Sequence, residues 1–149
     1  MTKKAPRSAA KPGARAKADL RKPVLGKRTI ALQTILEAKA GAVGQPMTVP
    51  GGSTPLSVIY KVKGKMFAIL SLRADEFVIL KCDPHLAEML REKYEGVGHR
   101  SHLDRRFWIA VSLNADVPPV EVKRLAAHSY DLVCAGLTKK QQAELAALR

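Results

Sequence analysis

The stretch Leu56-Ser57-Val58-Ile59-Tyr60-Lys61-Val62-Lys63-Gly64-Lys65-Met66-Phe67-Ala68-Ile69-Leu70-Ser71-Leu72 holds two strands and the turn between them. Leu56, Val58, Tyr60 and Val62 alternate with Ser57, Ile59 and Lys61, the period of a β-strand with one buried face. Lys63-Gly64 makes a tight turn with positive φ available at the glycine, so the chain returns as a hairpin into Met66–Leu72. A second turn at Arg73-Ala74-Asp75 leads into a third strand, Phe77–Cys82. Connections this short join antiparallel neighbours.

Upstream, residues 29–40 have helical periodicity, with Leu32, Ile35 and Leu36 as the apolar stripe and Thr29 as the cap. Gly41 and Gly44 stop that helix. Three prolines and two glycines between Gln45 and Pro55 predict a loop. Downstream, Asp83-Pro84 opens a helix, since the carboxylate can accept free N–H groups and proline suits the first turn. Leu86, Leu90 and Tyr94 are its core stripe. A loop from Val97 to Arg105 precedes a fourth strand, Arg106–Leu113. Pro118-Pro119 starts another helix, with Val122, Leu125, Ala126, Ser129, Leu132 and Val133 inward and Gly136 at its end. Thr138-x-x-Gln141 is a capping box for a last helix. The fold class is α+β, a mostly antiparallel sheet of about four or more strands with helices packed on it. Ile59, Phe67, Ile69, Phe77 and Ile79 make the second sheet face apolar as well, which predicts helices on both sides.

The chain of 149 residues carries a formal net charge of +13, unevenly placed. Residues 1–28 hold ten cations (Lys3, Lys4, Arg7, Lys11, Arg15, Lys17, Arg21, Lys22, Lys27 and Arg28) against one acid, Asp19. The segment lacks the apolar residues that would offset its ordering entropy, so a disordered basic tail over 1–28 and a domain over 29–149 are expected. No apolar run is long enough for a membrane span and none follows the basic start as a secretory signal would require, so the expected location is cytoplasmic. Cys82 and Cys134 stand apart and read as reduced thiols. Cys82, His85, His99 and His102 do not assemble four ligands by spacing, so neither metal nor cofactor is expected.

Four runs of residues, in order, carry a family resemblance: Tyr60–Ala68, Leu80-Lys81-Cys82-Asp83-Pro84, Ser101–Trp108 and Ala127-His128-Ser129-Tyr130-Asp131-Leu132-Val133. Together they make the chain similar to the MmcQ/YjbR family over about residues 56–140. The resemblance implies a frataxin-like (CyaY-like) α+β fold and DNA binding. Residues 29–55 depart from the family pattern, as do Asp104 and Arg105, where the family commonly has Asn and Lys. The basic tail lies outside it. Frataxin-like proteins that bind iron use an acidic first helix, and here that helix has only Glu37, so iron binding is not expected.

Two further clusters could meet a polyanion. Arg100, His102, Arg105, Arg106 and Trp108 fall within one loop and strand start, where guanidinium groups can hold phosphates and the indole can stack a base or enter the core. Lys61, Lys63 and Lys65, with Arg73 at the next turn, make a cationic hairpin that could meet a backbone or simply protect an edge. No nucleophile with a neighbouring base, phosphate loop or carboxylate pair points to catalysis. The expected function is non-catalytic nucleic-acid binding through phosphates, DNA rather than RNA, by a monomer or weak dimer. The alternative is a protein-interaction module using a sheet face or the 97–108 loop.

Overall fold

A computed structural model describes residues 25–73 and 75–148. The chain runs α1 (Lys27–Glu37), β1 (Ala42–Met47), β2 (Ser57–Val62), β3 (Lys65–Ser71), β4 (Phe77–Lys81), α2 (Pro84–Lys93), β5 (Val97–Gly98), β6 (Trp108–Ser112), α3 (Pro119–Ala135) and α4 (Lys139–Ala146). The six strands form one sheet in the order β1-β2-β3-β4-β6-β5, every neighbouring pair antiparallel. The class is α+β, as the periodicity indicates.

The Lys63-Gly64 turn has φ of 50° and 78°, both positive, which suits the right-handed twist of the strands it joins. Asp83 accepts the N–H groups of His85 and Leu86, and the Thr138–Gln141 capping box is complete.

Four element boundaries change. Gln45–Pro55 is not all loop, because Ala42–Met47 pairs with β2 as an edge strand. Pro46 is tolerated there because β1 has a neighbour on one side only. Val97–Gly98 forms a second short edge strand. The fourth strand begins at Trp108 rather than Arg106, because the Asp104 carbonyl accepts the N–H groups of Phe107 and Trp108 and holds residues 105–107 in a turn. The first helix begins at Lys27, so Lys27 and Arg28 belong to it and not to the tail.

Thr29 is not the cap. It lies within the first turn of α1, fully buried, and its Oγ1 donates to Glu76 at 2.5 Å. The Glu76 carboxylate also accepts the Gly26 N–H at 3.0 Å. A carboxylate from just before β4 therefore serves the free N–H end of α1, where negative charge is favoured.

One core joins every layer. Val58, Tyr60, Val62, Ala68, Leu70, Val78, Leu80, Ile109 and Val111 form the sheet's contribution. Leu32 and Leu36 (α1), Ala87 and Leu90 (α2), Leu125 and Val133 (α3) and Leu145 (α4) pack onto that same face. Each fully buried Leu or Val contributes roughly 1.5–3 kcal/mol over an exposed one. Phe67 joins this core, contrary to its place in the alternation. The register passes from Tyr60↔Ala68 to Lys61↔Met66, leaving Phe67 as the extra residue of a bulge, against Tyr60 and Tyr130.

All four helices of the described residues thus serve one side, and among those residues the expectation of helices on both faces is overturned. The opposite face presents Ile59, Ile69 and Ile79 in one cross-strand row, with Phe77 and Trp108 toward its two ends. No described helix reaches the other side because the strand connections are turns or helix-free loops, apart from α2, which returns to the core side.

Candidate functional site

The helix-free face is the candidate site, open at Lys61, Lys81, Phe77 and Trp108 but buried at its centre, where Ile79 and Ala110 are 5% and 3% exposed. Strand alternation places Lys61 of β2 and Lys81 of β4 on it, since Tyr60, Val62 and Leu80 point into the core. Lys81 is the cross-strand partner of Trp108. At the other end, Leu56, Ile69, Phe77 and Ile79 floor a groove of about 590 Å³ whose walls include Arg73, Asp75 and Arg100. The guanidinium carbon of Arg100 lies 4.0 Å from the centroid of Phe77, and an N–H of Arg100 donates to the Asp75 carboxylate. That hydrogen bond lowers the pKa of Asp75 and raises that of Arg100.

The face is positive because its carboxylates are few. Lys61, Arg73, Lys81 and Arg100 stand there beside Asp75. Glu76 is buried against α1, and Glu88, Glu92, Glu121 and Glu144 are on helices.

The sequence-predicted cations divide. Lys61, Arg73 and Arg100 come together on this face with Trp108, which is half-buried and outside the core. Lys63 turns toward the helical side and pairs with Glu144 of α4 at 2.7 Å. Lys65 is exposed at the hairpin. Arg105 and Arg106 lie in the turn before β6. Arg106 forms an ion pair with Asp104 at 2.8 Å, which lowers the Asp104 pKa to about 2, and it rests 5.2 Å from the Phe107 ring centroid. His102 is exposed in the same loop. Arg28 donates to the Val117 carbonyl, a contact between α1 and the start of α3, and Lys27 is exposed beside it. Lys3, Lys4, Arg7, Lys11, Arg15, Lys17, Arg21 and Lys22 lie outside the described residues.

Two residues escaped the sequence reading. Lys81 looked like one more strand position, and only its register opposite Trp108 makes it part of the face. Arg91 of α2 donates to the carbonyls of Arg105 and Trp108, fixing the turn from which Trp108 emerges. The alternation of Phe77–Cys82 carried the first signal, and nothing local carried the second.

Among the described residues no three His, Cys, Asp or Glu side chains gather as a metal site. Cys82 is buried, and burial foremost pushes its thiol up to about 11, with the nearby Asp83 charge adding to the rise. Among the described residues no helix is long and apolar enough to cross a membrane.

A six-stranded antiparallel sheet with helices on one side and a basic, partly aromatic face on the other defines a class: small open-sheet α+β domains. Within it, the chain belongs to the YjbR family, whose model matches residues 44–132. It is 29% identical over 85 residues to the uncharacterized protein YbdF of Escherichia coli O157:H7, covering 56% of this chain and 70% of that one. It is 32% identical over 71 residues to the uncharacterized protein YjbR of Escherichia coli K12, covering 47% of this chain and 60% of that one. The crystal structure of Deinococcus radiodurans protein DR2400, a DUF419 domain, superposes with a TM-score of 0.68 at 25% identity, over 82% of this chain and 92% of that one. A protein from Pseudomonas syringae shares the fold with a TM-score of 0.54 at 20% identity, over 72% of this chain and 98% of that one.

Proposed function

We propose that this protein is a non-catalytic nucleic-acid-binding protein that meets its polyanion with the helix-free sheet face. One observation carries the reading: Lys61, Arg73, Lys81 and Arg100 share that face with Asp75, while Glu76 serves the start of α1, Glu88, Glu92, Glu121 and Glu144 lie on helices, and Asp104 in the loop before β6 is paired with Arg106. A surface of one sign attracts a partner of the other sign and raises its encounter rate. The ten cations of residues 1–28 add a sequence-level charge of the same sign.

The ion pairs of Arg100 and Arg106 do not oppose this. Exposed pairs are worth roughly 0–1 kcal/mol, so a phosphate can take the carboxylate's place.

The test is binding of full-length protein to a labelled duplex and a labelled single strand at several salt concentrations. Log K should fall linearly with log salt, by about 0.9 per phosphate neutralised on duplex and about 0.7 on a single strand. Charge reversal at Lys61, Arg73 and Lys81 together should weaken binding at least about tenfold and flatten the slope by roughly two to three contacts. Reversal at Lys123 and Lys140, on α3 and α4, is the control. Binding that is absent, or insensitive to salt, sinks the proposal.

A second reading has its own observation. On the edge strand β1, Val43 is 64% exposed and Met47 41% exposed, and both lie on the helix-free side. A protein strand could add along that edge, with Pro46 limiting the pairing. Cross-linking to a protein partner that is abolished by Val43→Glu, together with failure of the nucleic-acid assay, would put this reading first.

A further inference from the structure

We infer that the helix-free face takes single-stranded nucleic acid, with bases stacked on Trp108 and on the Arg100–Phe77 pair. The inference deepens the nucleic-acid reading and rests on it. Three features separate a single strand from a duplex. The first is breadth. Six strands have five gaps of about 4.8 Å, giving a face roughly 24 Å wide. A duplex major groove is about 12 Å wide and admits a helix or a two-stranded ribbon, so this sheet cannot enter to read base edges. A single strand needs no groove and can lie across the sheet.

The second feature is the pair of stacking positions. Trp108 is half-buried on this face beside Lys81, four residues along β4 from Phe77. Arg100 lies over Phe77, its side chain 43% exposed. A guanidinium held on one side by a ring and by Asp75 is pre-positioned to receive a base on its other side. Four residues of strand separate the two positions by about 14 Å, and Ile79 and Ala110 between them are buried, so they act as two separate stacking contacts spanned by the sugar-phosphate backbone. Paired bases inside a duplex present no free face to either position.

The third feature is where the cations stand. Lys81 is directly opposite Trp108, and Lys61 lies two strands away, about 10 Å, at the same end of the sheet. Arg73 walls the groove at the other end. Each stacking position has a cation at hand for the phosphate of the stacked nucleotide, as in surfaces that hold single strands without reading sequence.

Trp108 is the protein's one tryptophan, so its emission reports on this face in full-length protein. Titration with a twelve-nucleotide oligodeoxythymidylate should quench that emission saturably. A twelve-base-pair hairpin duplex should bind through charge without quenching. Trp108→Leu should lower single-strand affinity about 5- to 100-fold while duplex affinity changes less than about twofold. Arg100→Ala leaves the indole in place and should cost roughly 5-fold or more for the single strand, so the test survives if the Trp108 variant folds poorly. Single-strand binding that leaves the emission unchanged, or equal losses for single strand and duplex in both variants, overturns the stacking inference and leaves the nucleic-acid reading standing. Failure of both nucleic acids to bind ends both.

Discussion

Arg100 rests over Phe77, its guanidinium carbon 4.0 Å from the ring centroid, although Phe77 opens β4 and Arg100 lies in the loop after β5. Asp75 completes the arrangement from the turn between β3 and β4, so a loop leaving the β5 edge is tied down onto the open face.

The tie should be weak in stability and visible in binding. Asp75→Asn removes a charge that competes with phosphate for Arg100, so polyanion affinity should rise about two- to fivefold, read by fluorescence anisotropy. Unfolding free energy should change by less than about 1 kcal/mol, because the pair is exposed. The hydrogen bond from Arg100 lowers the Asp75 pKa in the folded state. Its contribution is therefore present above the ordinary carboxylate pKa and is lost as pH falls through the depressed value. In Asp75→Asn that small acid-side loss should disappear from the pH dependence of urea unfolding.

Ser129 binds three elements together. Its Oγ donates to the Phe67 carbonyl at 2.6 Å and accepts the Lys81 N–H at 2.8 Å, so α3 is joined to the β3 bulge and to β4. Ser129→Ala leaves both backbone groups unsatisfied in a buried place. The expected cost is about 2–4 kcal/mol in urea unfolding, well above that of an exposed Ser→Ala change. A loss below about 0.5 kcal/mol would contradict this account.

Gly41 joins α1 to β1 with φ of +73°, and a Cβ there would lie 2.5 Å from Leu145 Cδ2. Gly41→Ala should therefore strain the backbone and also push α4 from the core. A loss of roughly 2–4 kcal/mol is expected. Gly64→Ala, at φ +78° with open space around it, supplies the comparison and should cost only the backbone share, about 1–2 kcal/mol.

Cys82 should be silent in the folded protein. It is buried and its thiol is pushed up to about 11, so almost no thiolate exists at neutral pH. Iodoacetamide at pH 7.5 should modify the half-buried Cys134 first, with Cys82 labelled only after denaturant is added. Mass spectrometry of the tryptic peptides distinguishes the two. Rapid native labelling of Cys82 would contradict its burial.

The sequence alone determined the pieces whose physics is local. Alternation in Leu56–Leu72 makes the hairpin, Lys63-Gly64 makes its turn, and Asp83-Pro84 and Thr138–Gln141 make their helix starts, because each depends on neighbours within a few residues. It also determined the imbalance of charge and the motifs that resemble the family. Tertiary structure decided the rest. Glu76 caps α1 from fifty residues away, which no local cap signal can show. The pairing of β1 with β2 overrides the proline-rich composition of Ala42–Met47, since an edge strand needs only one partner. The bulge turns Phe67 inward. Above all, the placement of the described helices on one side left Lys61, Lys81, Arg100 and Trp108 together on the other. Their separation in sequence hid that neighbourhood, because a sheet assembles its faces from registers between strands and not from spacing along the chain.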